Sequence, residues 1–164
     1  MDNDKLKYVK IEKSKIHNNG VFAKIDIKKG TKIIEYVGEK VSKNEAENRV
    51  TQTINNANEQ NGAVYIFELD KKFDIDGNVP YNHAKYINHS CNPNCETEII
   101  NNGIWIIALH EIKKGDELFY NYGYDIEDFK EHPCKCGSKN CVGYIVDEDH
   151  WPKLKQILKK KKTK

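Results

Sequence analysis

At 164 residues the chain is most simply one domain, long enough to bury a core. Its hydrophobic fraction of 38% and charged fraction of 32% lie outside the disordered regime, and no run of about 18 apolar residues is present to span a bilayer. The net charge of +2 conceals an asymmetry, because residues 153–164 carry seven lysines and no acid, which leaves 20 basic against 25 acidic residues in the body.

An acidic body steers basic partners toward it. The lysine-rich end reads either as a solvated, frayed terminus or as a nuclear-import or nucleic-acid contact. Met1 to Lys5 lacks the apolar core of a signal segment, so ordinary secretion is not expected. Three of the five cysteines stand in a metal-like cluster, which points to a reducing intracellular compartment, nucleus or cytoplasm, more than to a disulfide framework.

In chain order, Val21 to Ala23 and Lys32 to Val37 read as strands, punctuated by Gly20, Gly30 and Gly38. Ser42 followed three residues later by Glu45 forms a capping box, predicting a helix from Lys43 to Thr53. That helix gives way to a polar loop, Asn55 to Gly62, and then to strands over Val64–Leu69 and Phe73–Ile75. Gly103 to Leu109 is the most apolar stretch and predicts a buried strand. A turn at Lys113–Asp116 leads into Glu117–Tyr122. The phrase Ile25–Lys32 is echoed by Leu109–Asp116, each a strand, an I-x-K-G turn and a strand, a recurring turn and not a true repeat. Trp151, Leu154, Ile157 and Leu158 at helical spacing predict a short amphipathic helix at the end. The fold class is mainly β with few short helices.

The cysteines carry the strongest chemical signal. Cys134, Cys136 and Cys141 follow the spacing C-x-C-x4-C around a turn at Gly137. Structural zinc takes four ligands in a closed tetrahedron, so one is missing. Cys91 or Cys95, in the polar loop Asn88-His89-Ser90-Cys91-Asn92-Pro93-Asn94-Cys95, must complete the site and tie the end of the chain to that loop.

That loop, with Tyr86-Ile87 before it, resembles the signature of the SET-domain lysine methyltransferases. Glu117-Leu118-Phe119-Tyr120-Asn121-Tyr122-Gly123 resembles a second motif of the family, and Ser14 to Ala23 followed by Glu35-Tyr36-Val37-Gly38-Glu39 resembles its first. The trailing cysteines are similar to the family's post-SET zinc cluster. Together the motifs cover residues 14–145, in the family's order. The cysteine-rich pre-SET segment of some members has no counterpart, since no cysteine precedes Cys91. The resemblance implies small curved sheets with knot-like C-terminal threading. It divides the chain into an extension over 1–13, a SET domain over 14–125 with an insert at 42–67, a zinc segment over 126–145 and a basic helix or tail over 146–164.

The implied reaction is methyl transfer from S-adenosylmethionine to a lysine ε-nitrogen of a lysine-rich protein such as a histone tail, with no membrane involved. Free lysine has a pKa of about 10.4, so presenting the neutral amine at pH 7 costs roughly 4–5 kcal/mol. An apolar, aromatic channel lowers that cost by desolvating the ammonium, and in-line displacement makes positioning central. By motif position, Tyr122 resembles the catalytic tyrosine, Tyr36 a channel tyrosine, and Tyr120 the residue that limits how many methyl groups fit, which implies mono- or dimethylation. Asn88 and His89 resemble the cofactor-binding pair. Asn18 and Gly20 belong to the loop that wraps the cofactor, where Asn18 replaces a usual glycine but tolerates positive φ. Tyr144 is expected over the cofactor or the channel mouth. For structural zinc the family pattern assigns Cys91, Cys134, Cys136 and Cys141, leaving Cys95 as a buried apolar thiol. The insert region is one wall of the family's peptide groove. Two rival readings are a SET-like peptide-binding module without turnover and a zinc-stabilised nucleic-acid binder.

Overall fold

In the computed structural model the short β-rich segments, punctuated by glycine and asparagine turns, form four small sheets among the described residues. The structure describes residues 6–56 and 64–162. Val9–Lys13 (β1) pairs antiparallel with Asn19–Ala23 (β2). Lys32–Tyr36 (β3), Cys95–Ile100 (β8) and Gly103–Ala108 (β9) form an antiparallel sheet in the order β3-β9-β8. Glu39–Ser42 (β4), Ile66–Glu68 (β5) and Phe73–Asp76 (β6) form another in the order β4-β6-β5. Asn88–His89 (β7) and Phe119–Tyr120 (β10) pair in parallel, two residues each. The mainly β reading holds.

The predicted helix is present as Lys43–Asn55 (α1), and the Ser42 hydroxyl accepts from the Glu45 N–H at 3.3 Å as the capping box requires. Its polar continuation toward Gly62 lies largely outside the described residues. Arg49 binds α1 to the β4-β6 pair: its guanidinium reaches Glu39, Glu45 and Asp76, each at 2.8 Å. The strand expected over Gly103–Leu109 is β9, with Ile104, Ile106, Ile107 and Ala108 buried. Val9, Val21, Ile27, Ile34, Ile87, Ile112 and Leu118 join it in one core, so β1 contributes to the core from ahead of the first motif.

The two I-x-K-G turns lie side by side. Ile27 and Ile112 exchange both backbone hydrogen bonds, at 2.8 and 2.9 Å, and Gly30 and Gly115 occupy positive φ of 76° and 93°. Their sequence likeness is thus a paired structural device, in which glycine is needed for the left-handed backbone.

The stretch Glu117–Tyr122 is strand only over Phe119–Tyr120. A side chain supplies what a longer partner strand would have given. Asn94 donates from Nδ2 to the Glu117 carbonyl at 2.8 Å and accepts at Oδ1 from the Phe119 N–H, also at 2.8 Å. The C-terminal helix, Trp151–Lys162 (α2), inserts the fully buried Leu154 among Ile126, Phe129 and Val146, a second core under the cysteine segment.

Candidate active site

A row of rings runs through the middle of the molecule. Tyr36 at the end of β3 packs on Phe67 of β5 with centroids 5.3 Å apart, and Phe67 stands 6.3 Å from Tyr120 on β10. Tyr120 meets Tyr122 at 4.9 Å, Tyr122 meets Tyr124 at 5.7 Å, and Tyr124 meets His132 at 4.7 Å. Alternation along the extended chain after β10 puts Tyr120, Tyr122 and Tyr124 on related positions. The sequence reading named Tyr36, Tyr120 and Tyr122 and missed Tyr124 and Phe67. The Y-x-Y-x-Y alternation was the available signal for Tyr124; Phe67 had none, because its place in the row comes from the β5-β6 pairing.

The hydroxyls of the row differ in their commitments. Tyr36 donates to the Tyr65 carbonyl at 2.8 Å, and Tyr122 donates to the Ile87 carbonyl at 3.0 Å. Tyr120 is buried, yet among the described residues its hydroxyl has no hydrogen-bond partner, while only Asn82 Oδ1 is both sealed from solvent and unpaired. Burial pushes the phenols of Tyr36, Tyr120, Tyr122 and Tyr124 above their ordinary range. Gly77 lets the wall close on Tyr36, since a Cβ there would collide with the Tyr36 hydroxyl and with Asn82 Nδ2.

Beside the row, β7 presents Asn88 and His89. Asn88 Nδ2 donates to the Asn19 carbonyl at 3.1 Å and to Glu117 Oε1 at 2.9 Å, which brings the Asn18–Gly20 turn against the second motif. Asn18 has φ of 40°, the left-handed backbone a glycine would adopt without strain and an asparagine tolerates. A Cβ on Gly20 would collide with Glu117 Oε1. His89 is buried, and its ring accepts at Nδ1 from the Tyr122 N–H at 3.2 Å while Nε2 lies 3.6 Å from Cys91 Sγ. Burial lowers its pKa to about 4, so the ring is neutral at pH 7.

Cys91, Cys134, Cys136 and Cys141 place their sulfurs within 4.8 Å of one another. Zinc–sulfur bonds of about 2.3 Å in a tetrahedron give sulfur–sulfur edges of about 3.8 Å, and the Cys91–Cys134 and Cys91–Cys141 separations are 3.8 and 3.9 Å. Backbone N–H groups of Cys91, Cys136 and Gly143 point at sulfurs at 3.4 to 3.5 Å, as donors that would share thiolate charge. The donor set fits zinc. Without a cation four thiols so close cannot all ionise. Burial raises Cys91 to about 11. At Cys136 burial opposes ionisation, yet the Ser138 hydroxyl and the Cys91 backbone hold its thiol down to about 6. Cys95 is buried outside the cluster, its thiol pushed up to about 12 by burial. Tyr144 packs edge-on against Phe129 at 4.8 Å in the second core and bridges Pro133.

A family model described as the SET domain matches residues 18–123. The chain belongs to the SET-domain family. It is 42% identical over 138 residues to "Histone-lysine N-methyltransferase trr" of Drosophila melanogaster, covering 81% of this chain and 6% of that protein. It is 38% identical over 138 residues to the human "Histone-lysine N-methyltransferase 2D", covering 81% of this chain and 2% of that protein. It is also 38% identical over 149 residues to the "Histone-lysine N-methyltransferase, H3 lysine-4 specific" of Saccharomyces cerevisiae, covering 87% of this chain and 14% of that protein. The chain thus spans a small part of each of these relatives. Among its described residues, no helix of this SET domain is long and apolar enough to cross a membrane.

Proposed function

We propose that the chain is a protein-lysine N-methyltransferase that uses S-adenosylmethionine and acts on the lysine-rich tail of a histone. The observation that carries the reading is the buried aromatic row, which passes beside β7 where Tyr122 meets His89. An aromatic wall of this kind suits the long aliphatic side chain of a lysine, and its low-dielectric surroundings favour the uncharged amine. Three phenols whose ionisation burial suppresses remain neutral hydrogen-bonding groups around it.

When bound, S-adenosylmethionine supplies an electrophilic methyl group on a positively charged sulfur. The Asn18–Gly20 turn together with Asn88 and His89 forms the cradle for it, and the Asn88 amide holds that turn against β7 through the Asn19 carbonyl. Tyr122, anchored through the Ile87 carbonyl and the His89 ring, positions the reacting groups in line. Tyr36 forms the far wall. Tyr120, with its uncommitted hydroxyl, holds a water or the amine itself and so limits the product to mono- or dimethyl-lysine. Zinc on Cys91, Cys134, Cys136 and Cys141 is structural: it fastens the C-terminal segment, including Tyr144, beside the cofactor cradle. The yeast relative is named for lysine 4 of histone H3, which makes the histone H3 tail the first substrate to try and a nuclear location the corresponding place of action. The acidic body complements such a tail.

Purified chain incubated with methyl-labelled cofactor and histones, followed by mass spectrometry, tests the reading. Methyl-lysine that disappears in Tyr122→Phe is the expected result. Cofactor binding without methyl incorporation on any basic protein would favour the binding-module reading. Salt-sensitive DNA binding without cofactor binding would favour the nucleic-acid reading.

A further inference from the structure

Where the aromatic row reaches Tyr36, one carbonyl serves two donors. The Tyr36 hydroxyl donates to the Tyr65 carbonyl at 2.8 Å, and the Gly77 N–H donates to the same oxygen, also at 2.8 Å. A carbonyl offers two lone pairs, so both are engaged here. Gly77 is held at its other end as well, because Asn82 Nδ2 donates to its carbonyl at 3.1 Å. The packing has no slack. A Cβ on Gly77 would meet the Tyr36 hydroxyl, the Tyr36 ring and Asn82 Nδ2 together. Tyr36 therefore takes its position from Gly77, and Gly77 takes its own from Asn82.

A tight turn delivers Asn82 to this place. Its backbone N–H closes on the Val79 carbonyl at 3.3 Å, with Pro80 at the second position of the turn, and Lys85 Nζ donates to the same carbonyl at 3.0 Å. The Asn82 side chain is fully buried, and its one hydrogen bond is the one to Gly77. Its Oδ1 is sealed from solvent and accepts from no group among the described residues. Turning the amide over would only set Oδ1 against the Gly77 carbonyl, acceptor against acceptor. An unmatched buried acceptor costs stability, so what the site uses is the donor.

We propose that Asn82 is a positioning residue for methyl transfer, acting through Gly77 and the Tyr65 carbonyl on the hydroxyl and ring of Tyr36. The inference rests on the methyltransferase reading above, in which Tyr36 forms the far wall beside the substrate lysine. In-line transfer is sensitive to small displacements of the groups that orient the amine, and a shift of about 1 Å can cost on the order of 100-fold in rate. The hydrogen bonds of Asn82 reach neither Asn88 and His89 nor the Asn18–Gly20 turn. Its influence falls on the lysine side of the site and leaves the cofactor cradle as it is.

The test is a double-mutant cycle combining Asn82→Leu with Tyr36→Phe in the zinc-loaded chain, with saturating methyl-labelled S-adenosylmethionine and a histone H3 tail peptide. Leucine is close to asparagine in size and neither donates nor accepts. The value of kcat should fall about tenfold in Asn82→Leu, but less than about threefold when the same change is made in Tyr36→Phe, which has no hydroxyl to place. Calorimetric titration should show the affinity for S-adenosylmethionine changed less than about twofold in each variant, which a general loosening of the fold would not allow. Asn82→Ala removes the same donor and should give the same pattern if the leucine variant does not fold. Equal fractional losses in the two backgrounds, an unchanged kcat in Asn82→Leu, or a matching loss of cofactor affinity would overturn the proposal. Failure of the wild type to methylate the peptide or any other basic protein would instead overturn the methyltransferase reading beneath it.

Discussion

The backbone N–H of Tyr122 donates to Nδ1 of His89 at 3.2 Å, and that bond settles the tautomer of the ring. A backbone N–H can only donate, so Nδ1 carries no proton and Nε2 does. The Nε2 proton is then directed at Cys91 Sγ, 3.6 Å away. One neutral imidazole thus links the tyrosine row to the cysteine cluster.

From this link follows a coupled defect. His89→Ala removes both the donor to the Cys91 sulfur and the acceptor that holds Tyr122. Outer-shell donors of this kind are worth about 10–100-fold in metal affinity. Competition against a chromophoric chelator should show zinc affinity reduced by that order, with methyl transfer falling in the same variant. Unchanged zinc affinity would mean that the contact to Cys91 carries no energetic weight.

The two cysteines of the loop should behave differently. Cys91→Ser should lose zinc and activity together, because one of four clustered sulfurs is replaced by a poor zinc ligand. Cys95→Ser should keep both, at a stability cost of about 1–2 kcal/mol for putting a hydroxyl into an apolar site. Metal content by mass spectrometry and thermal melts distinguish them. Zinc loss in Cys95→Ser would refute the assignment.

Tyr120→Phe should raise the methylation state. Its hydroxyl has no partner among the described residues, so its removal opens room beside the amine and leaves no protein group orphaned. Peptide mass spectra should shift from mono- and dimethyl toward trimethyl product. Abundant trimethyl-lysine from the unsubstituted chain would contradict the assigned role.

The pH profile should be set by the substrate. Burial raises the phenols of Tyr36, Tyr120 and Tyr122, so each keeps its proton to higher pH than a free tyrosine. Below about pH 10 none of the three loses a proton, whereas the neutral fraction of a free lysine grows about tenfold per pH unit up to about 10.4. The value of kcat/KM should therefore climb about tenfold per unit from pH 7 to pH 9. A downturn inside that window, in protein still folded by circular dichroism, would show an ionisation these tyrosines do not supply.

Local chemistry was enough for some features and silent on others. The capping pair Ser42 and Glu45, the β-formers of Gly103–Ala108 and the helical spacing of Trp151, Leu154, Ile157 and Leu158 each act through near neighbours in the chain, and each was legible there. The trio Cys134, Cys136 and Cys141 was equally plain, but local grammar left Cys91 and Cys95 as alternatives for the fourth ligand. Tertiary structure decided the rest. It gathered Cys91 and left Cys95 in the core, paired the two I-x-K-G turns through Ile27 and Ile112, added Tyr124 and Phe67 to the aromatic row, and set Glu117 between Gly20 and Asn88. Those relationships join segments tens of residues apart, and strand pairing and close packing create them only when the chain has folded. The sequence by itself determined which groups were available; the fold decided which of them meet, because contact between distant residues is a property of packing and not of spacing along the chain.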